Sequence, residues 1–287
     1  MNLNLQEFAS IDLVTRYDKK VDEMFYRESS ISLLTNQDYD WTGANSVKVY
    51  RVTTAPMTDY DRAGENEGSH YGQVHRLDAI TDDYPLTQDR AFTFEADRLD
   101  IDETGECLAA AKSLARQLRE QVFPEMDRYV YDVMCTKAGI KPTAKTLTAT
   151  NIYDEIIEAS RQLDNAEAPE NFRNLVVTPD VYVLIKKNPD IMMNTDIGEE
   201  LRRQGVVGVI DGMNVIKVGA NRLPEEFGFM ACHPIGAVVP NKLKEYRIHQ
   251  NPPGISGDLV EGRFCYDCFV LTNKANAIYY QAIEIDE

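Results

Sequence analysis

The hydrophobic pattern of this chain centres on residues 105–138. Apolar side chains recur there at steps of three and four, which keeps one stripe on one face of an α-helix: Leu108, Ala111, Ala115, Leu118, Val122, Met126, Val130 and Val133. Charged residues, Asp127 among them, fall on the other face. The pattern predicts a long helix that ends at Gly139, with a kink or short break at Pro124, which has no backbone donor.

The region before this helix predicts an extended ribbon. Residues 91–96 alternate between apolar and polar positions, as a half-buried strand does, and Ser46 to Thr54 is rich in β-branched residues. We expect these two strands to pair, with a polar tip between them. A two-stranded ribbon buries little area by itself, so residues 46–96 need another surface to lie on.

After Pro142 the pattern predicts a compact α/β unit over 143–240. Its expected parts are a helix capped by Asn151, a strand at Asn174 to Val177, a helix starting at Thr178-Pro179, a hairpin turning at Asp211-Gly212, and a strand at Phe227 to Ala231. Three later strands, Glu245 to His249, Arg263 to Leu271 and Ala277 to Ile283, are expected to cover the long helix. That return would make the domain discontinuous in sequence.

Composition excludes several functions. No apolar run approaches the ~20 residues of a membrane helix, and the start lacks the pattern of a secretory signal, which predicts a cytosolic origin. The 287 residues carry a formal net charge of −17, which disfavours tight, direct binding to nucleic acid.

No motif commits the chain to catalysis. Cys265 and Cys268 have C-x-x-C spacing, but residues three apart on a strand point to opposite faces, so buried structural thiols are favoured over a zinc site. The pair Cys232-His233 is read as structural for a similar reason. There is no P-loop and no G-x-S-x-G, and the glycines of 205–212 fit hairpin turns better than a nucleotide site. We therefore expect no enzyme activity, cofactor or metal.

Five segments together resemble one family. They are Asp59 to Arg62 (DYDR), Asp89 to Thr104 (DRAFTFEADRLDIDET), Val122 to Tyr129 (VFPEMDRY), Gly205 to Val218 (GVVGVIDGMNVIKV) and Phe264 to Tyr280 (FCYDCFVLTNKANAIYY). Their order resembles that of the major capsid proteins of tailed bacteriophages, whose shell fold encapsulin nanocompartments also use.

The resemblance implies an α+β fold, the tailed-phage major capsid fold. Its expected parts are an N-terminal arm at 1–45, an extended β-hairpin loop at 46–96, a peripheral domain with a long spine helix at 97–142 and 241–287, and an axial α/β domain at 143–240. Within the arm, the hydrophobic pattern by itself indicates a short amphipathic helix spanning Leu13 to Arg27, or else a loosely packed leader.

The resemblance also implies a function. The chain would assemble as hexamers and pentamers into an icosahedral shell around a double-stranded DNA genome, in the virion, after assembly in the host cytoplasm. Expected partners are copies of itself, a portal, non-specifically held DNA, and a separate scaffolding protein, because the residues before Ser46 lack long charged heptads. No membrane partner is expected. The expected intersubunit contacts are Asp59, Tyr60, Asp61, Arg62, His70 and Tyr71.

Two alternatives stay open at this point. An encapsulin-type shell shares the fold and differs by docking an enzyme's terminal peptide on its inner wall. A soluble α/β binding module would carry a concentrated apolar pocket or a basic face, and the sequence shows neither.

The shell is predicted to be non-covalent. Some members of the family join subunits by an isopeptide bond from a lysine on the extended loop, and residues 52–111 contain no lysine. Assembled protein boiled in detergent and reductant should run as one band of 32.5 kDa. Bands of higher mass that survive this treatment would show that another lysine, such as Lys48 or Lys112, forms the bond.

Overall fold

A computed structural model describes residues 29–36, 46–52, 54–63, 70–71, 75–103, 109–188 and 206–284. The helix expected within 13–27, and most of the arm expected at 1–45, lie outside the described residues. In the described ranges no helix is both long and apolar enough to cross a membrane.

Helices and strands are mixed along the chain. The helices are α1 (Ile31–Leu34), α2 (Arg98–Glu103), α3 (Ala110–Gln117), α4 (Phe123–Thr136), α5 (Ile152–Asn165) and α6 (Pro179–Lys187). The strands are β1 (Ser46–Val52), β2 (Ala79–Pro85), β3 (Gln88–Asp97), β4 (Asn174–Val177), β5 (Val206–Ile210), β6 (Met213–Lys217), β7 (Phe227–Cys232), β8 (Ala237–Val238), β9 (Asn241–Gln250), β10 (Gly257–Tyr266), β11 (Phe269–Val270) and β12 (Ile278–Ala282).

Two larger sheets form the body of the subunit. One has three antiparallel strands in the order β3-β10-β9, and the other has five in the order β12-β7-β4-β6-β5. In the second sheet β4 and β6 are parallel, while the other neighbouring pairs are antiparallel. The ribbon β1-β2 and the short pair β11-β8 complete the pairing between named strands in the described part.

The ribbon pairs differently from the expectation. Residues 46–54 were predicted to pair with the strand near 91–96, but β1 pairs with β2, from Ser46 opposite Pro85 to Val52 opposite Ala79. Strand β3 pairs with β10 instead. The reason is apolar burial, because Phe92 and Phe94 on β3 pack with Leu114 of α3 and Val260 of β10.

The C-terminal strands also divide between the two sheets. The strands of 241–287 were expected to cover the spine: β10 contacts α3 and β11 contacts α4. β12 pairs with β7 in the five-stranded sheet, and its Ile278 packs in the same core as Val130 of α4. The far edge of β12 is also used, since the Tyr280 amide donates to the Ile140 carbonyl at 2.9 Å. The last strand therefore pairs with the sheet of 143–240 while its side chains also contact the spine, and the domain boundaries stay predictions.

The predicted spine is present, and the break expected near Pro124 is confirmed. It takes the form of a π-turn, Leu118–Val122, between α3 and α4, in which the Phe123 amide bonds to the Leu118 carbonyl. Pro124 lies in the first turn of α4, lacks an amide hydrogen, and would clash with the carbonyl of Glu120 in a regular α-helix. A widened turn removes that clash.

The buried face of the spine differs from the predicted stripe. In α3, Ala110 and Leu114 are buried while Ala111 is exposed. In α4 and just beyond it the buried residues are Asp127, Val130, Tyr131, Met134, Cys135 and Ala138. The prediction applied one constant helical period through the π-turn, which rotates the predicted buried face of α4 away from the observed one. For this reason Asp127 was wrongly assigned to the polar face.

Predictions of turns and helix caps in the 143–240 region agree better with the structure than the predicted buried face of the spine. Asp211 (φ 47°) and Gly212 (φ 73°) form the left-handed turn between β5 and β6, as predicted. Thr178 caps α6 by accepting a hydrogen bond from the Val181 amide at 3.2 Å. Asn151 does precede α5, but its side chain accepts from the Thr148 amide instead of capping the helix.

Two cores lie on either side of the five-stranded sheet. One contains Val130, Tyr131 and Met134 of α4, packed with residues such as Met230 of β7. The other contains the buried faces of α5 and α6, packed with Phe229, Tyr279 and their neighbours. The sheet is thus covered by the spine on one face and by two helices on the other.

Gly139 tests the close packing at the end of the spine. A Cβ there would lie 2.5 Å from backbone atoms of Ala275 and Asn276. We expect Gly139→Ala to lower the free energy of unfolding by about 3 kcal/mol, because backbone cannot move aside cheaply. Gly212→Asn is the matched control, since that turn is open and Asn tolerates positive φ. Equal urea midpoints for the two variants would contradict this packing.

Candidate intersubunit surface

The tip of the ribbon is built from two short segments, 54–63 and 70–71. The Asp61 amide donates to the His70 carbonyl at 2.9 Å, and His70 Nδ1 lies 2.7 Å from the Asp61 carbonyl oxygen. The Thr58 hydroxyl donates to the Tyr71 carbonyl at 3.0 Å. These contacts hold the two segments together, and among the described residues no hydrophobic cluster includes either segment.

Three aromatic rings meet on this tip. The rings of Tyr60 and His70 stack at 5.8 Å, and Tyr60 meets Tyr71 edge-on at 5.1 Å. Tyr60 is 57 % and Tyr71 79 % exposed, and Met57 nearby is fully exposed. Exposed clusters of apolar and aromatic side chains are uncommon on surfaces that contact only water. Aromatic rings supply much of the binding energy at protein interfaces, so this cluster is a candidate contact surface.

The structure brings the predicted contact residues together only in part. Tyr60, His70 and Tyr71 share ring contacts, and Asp61 joins them through its backbone. Asp59 and Arg62 are exposed beside them. That these residues touch another subunit stays a prediction.

The root of the ribbon is held by a buried carboxylate, Asp267, which is 2 % exposed. Its Oδ2 accepts from the Thr87 amide at 2.7 Å and from the Thr87 hydroxyl at 2.8 Å. Its Oδ1 accepts from the Tyr129 hydroxyl and from the Cys268 amide, both at 2.7 Å. Burial, assisted by the negative charge of Asp267, raises the pKa of Tyr129, so the phenol stays a donor.

Apolar packing supports the same root. Tyr84 and Leu86 pack against a small cluster of Val238, Phe269 and Leu271, and the rings of Tyr84 and Phe269 are 5.1 Å apart. The ribbon therefore rests on the body through this cluster and through Asp267.

A second buried carboxylate, Asp127, joins three parts of the chain. It accepts from the Ser29 hydroxyl at 2.6 Å and from Arg222 Nη1 at 2.7 Å. Burial raises the pKa of Asp127, while the bonds from Ser29 and Arg222 oppose this. One turn further along α4, Tyr131 shares a 3.0 Å hydrogen bond with Ser30. Ser29 and Ser30, directly before α1, are thereby tied to the spine.

The outer face of the three-stranded sheet carries interleaved charges. Arg263 donates twice to Asp89, at 2.9 and 2.6 Å, and this bond holds the pKa of Asp89 below its usual range. His249 lies 3.1 Å from Glu261, and Arg247 pairs with Glu245. All six side chains are substantially exposed, so these pairs add little stability and leave a polar surface.

Reactive chemistry is weak in the described part of the chain. Burial raises the pKa of Cys232 and of Cys268 to about 12, so both thiols stay protonated. Burial lowers the pKa of His233, whose Nδ1 accepts from the Ile235 amide at 3.1 Å. Within the described residues, no group of three or more His, Cys, Asp or Glu side chains could hold a metal ion.

The architecture of this chain is that of phage capsid subunits. A chain from Mycobacterium phage Che8 aligns with a TM-score of 0.71 at 17 % identity and covers 98 % of both chains. The capsid structure of the cyanophage P-SCSP1u aligns with a TM-score of 0.68 at 13 % identity, covering 99 % of this chain and 94 % of that one. No family model and no curated protein matches the sequence. These likenesses establish the α+β tailed-phage major capsid fold.

The same fold extends beyond phages. The crystal structure of a virus-like particle from Pyrococcus furiosus aligns with a TM-score of 0.53 at 11 % identity, covering 89 % of this chain and 92 % of that one. The fold therefore does not decide whether a chain forms a phage shell or another kind of particle.

Asp127 provides a test of the anchoring of the spine. We expect Asp127→Ala to lower the free energy of unfolding by about 3 to 5 kcal/mol, because Arg222 would keep a buried charge without this partner. Asp132→Ala, at an exposed position on the same helix, should change it by less than about 0.5 kcal/mol. Chemical denaturation followed by circular dichroism measures both. Similar losses in the two variants would show that the buried pair has no special role.

Proposed function

We propose that this protein is a structural subunit that assembles into the icosahedral capsid of a tailed phage. The observation that carries the proposal is the likeness to phage capsid structures over nearly the full length of both chains. The ribbon adds a physical reason, because its tip exposes three aromatic rings that the described residues leave uncovered. A neighbouring copy of the chain would cover them.

The proposed partners are those that the resemblance to tailed-phage capsids implies. Hexamers and pentamers of the chain would build the shell, since closed symmetry lets one surface satisfy another. Such subunits meet in several nearly equivalent ways that differ little in energy, which supports a separate scaffolding protein, and a portal would complete the shell. Basic residues on the scaffold would complement a subunit of charge −17. Packaged DNA would be held non-specifically, with cations between it and the acidic wall.

In this proposal the protein has no catalytic role. It would be assembled in the host cytoplasm and would end in the virion. The buried, protonated thiols and the structurally bonded His233 support a structural role over an enzymatic one.

An encapsulin-type shell is the second candidate, favoured by the likeness to the Pyrococcus particle. The phage shell is preferred because the phage structures align more closely. The two differ in cargo, since a nanocompartment docks an enzyme's terminal peptide and a phage shell holds DNA. A soluble binding module is the third candidate, and a protein that stays in small species would support it.

Electron microscopy of the purified full chain, expressed with and without its phage's scaffolding protein, tests the proposal. We expect uniform closed particles from co-expression and aberrant or polydisperse ones from the chain by itself. Failure to form closed particles under both conditions would contradict the proposal. Uniform particles from the lone chain across a range of salt would remove the need for a scaffold.

The tip makes a sharper prediction. Replacing both Tyr60 and Tyr71 by Ala should leave the thermal unfolding midpoint of the subunit nearly unchanged, because both side chains are exposed. The same change should lower the yield of particles by about tenfold or more, since the lost rings are typical interface hot spots. Tyr60→Phe with Tyr71→Phe is the matched control that keeps both rings. Deletion of residues 63–72 should also leave a folded subunit that no longer assembles.

Sedimentation of the assembled fraction measures the yield. Normal particle yields from the double Ala variant, or from the deletion, would count against the tip as an intersubunit contact.

A further inference from the structure

We propose that Asp267 is a positioning residue that sets the angle at which the ribbon β1-β2 leaves the body of the subunit. The inference rests on the proposed function, because the angle matters only if the tip must reach a neighbour. It deepens that function by naming the side chain that aims the contact.

The position of Thr87 is the first step of the argument. Only Leu86 and Thr87 separate β2 from β3, so the ribbon turns into the three-stranded sheet within two residues. Asp267 Oδ2 binds both the amide and the hydroxyl of Thr87. Two donors from one residue on one carboxylate oxygen fix both the place and the orientation of this junction.

The other side of the carboxylate is fixed to the body. Oδ1 accepts from Tyr129 on α4 and from the Cys268 amide, and the Asp267 amide itself donates to the Pro240 carbonyl at 3.2 Å. Ribbon, spine and the β10-β11 link therefore meet at one side chain. Within the described residues its charge is balanced by four hydrogen-bond donors and not by an ion pair.

The length of the ribbon makes the angle important. β2 has seven residues, and a strand of that length spans about 23 Å at 3.3 Å per residue. A rotation of about 10° at the root would move the far end by about 4 Å, more than a hydrogen bond or an aromatic contact tolerates. Tyr84 and Leu86 also steady the ribbon, by packing that is not directional and by a long, exposed contact of 3.4 Å between the hydroxyls of Tyr84 and Thr272. The bonds from Thr87 to Asp267 are shorter, at 2.7 and 2.8 Å, and directional.

Asp267→Asn is the main test, because the amide has nearly the same shape but puts an NH₂ group in place of one acceptor oxygen. With the full chain, we expect hydrogen exchange at the Thr87 amide to be about tenfold faster, since its bond to a charged acceptor is either lost or replaced by a weaker bond to a neutral amide oxygen. Exchange in the β12-β7 ladder should change less than about twofold. Particles should lose their uniform diameter. Asp258→Asn, a half-exposed carboxylate on β10, is the matched control.

Thr87→Ala is the second variant, and it keeps the buried carboxylate with its two bonds to the body. It removes only the hydroxyl donor, so it remains informative if Asp267→Asn does not fold. Faster exchange at the root together with particles of mixed diameter supports the proposal in either variant.

Other outcomes overturn it. Variant particles as uniform as those of the wild type would show that Asp267 does not aim the ribbon. Exchange that rises equally in the five-stranded sheet would show a general loss of stability instead. If the wild type forms no closed particles, the proposed capsid function is wrong, whatever the role of Asp267. Exchange at Thr87 then still decides whether Asp267 holds the ribbon root.

Discussion

The structure depends on the way the chain accommodates Pro124 inside its spine helix. A proline at this point removes a donor and displaces the carbonyl four residues earlier, and the π-turn Leu118–Val122 absorbs the resulting mismatch. The turn changes the helical phase, so α3 and α4 bury different faces. α3 covers the three-stranded sheet, and α4 enters the core of the five-stranded sheet. One proline thereby lets a single spine serve two sheets.

The face that α4 turns inward also carries polar groups. Asp127 holds Ser29 and Arg222, Tyr129 holds Asp267, and Tyr131 meets Ser30. Each buried polar atom in this row has a partner, as a low-dielectric interior demands. The partners come from the N-terminal side of the chain, from the region after β6 and from the β10-β11 link that holds the ribbon root. Since hydrogen bonds are directional, α4 orients segments that apolar packing would leave free to slide.

Sequence patterns predicted the parts of the molecule that local chemistry determines. The Asp211-Gly212 turn and the Thr178 cap each depend on a few adjacent residues, and both were found where expected. The tip residues were selected by resemblance, and the structure adds the ring contacts among them.

Long-range choices were not predictable in the same way. The partner of β1 and the sheet that receives β12 depend on competition between distant strands. The alternation of apolar and polar residues identifies a strand but does not identify the strand that pairs with it. Asp127 was misassigned because the phase was carried through the π-turn. Asp267 was overlooked, although an acidic residue within the apolar run Phe264 to Leu271 was a usable signal, because burying a carboxylate requires partners.

The contrast between the body and the ribbon explains why such a subunit would assemble. The body buries its own apolar side chains in two cores around one sheet. Both oxygens of its buried carboxylates, Asp127 and Asp267, accept hydrogen bonds. The ribbon instead orders three aromatic rings at its tip and buries little of them. Ordering residues without burial costs free energy, and a contact that covers the rings would recover it. A ribbon already held at its root loses less entropy when it docks, which favours a contact between neighbouring subunits that is formed in one orientation.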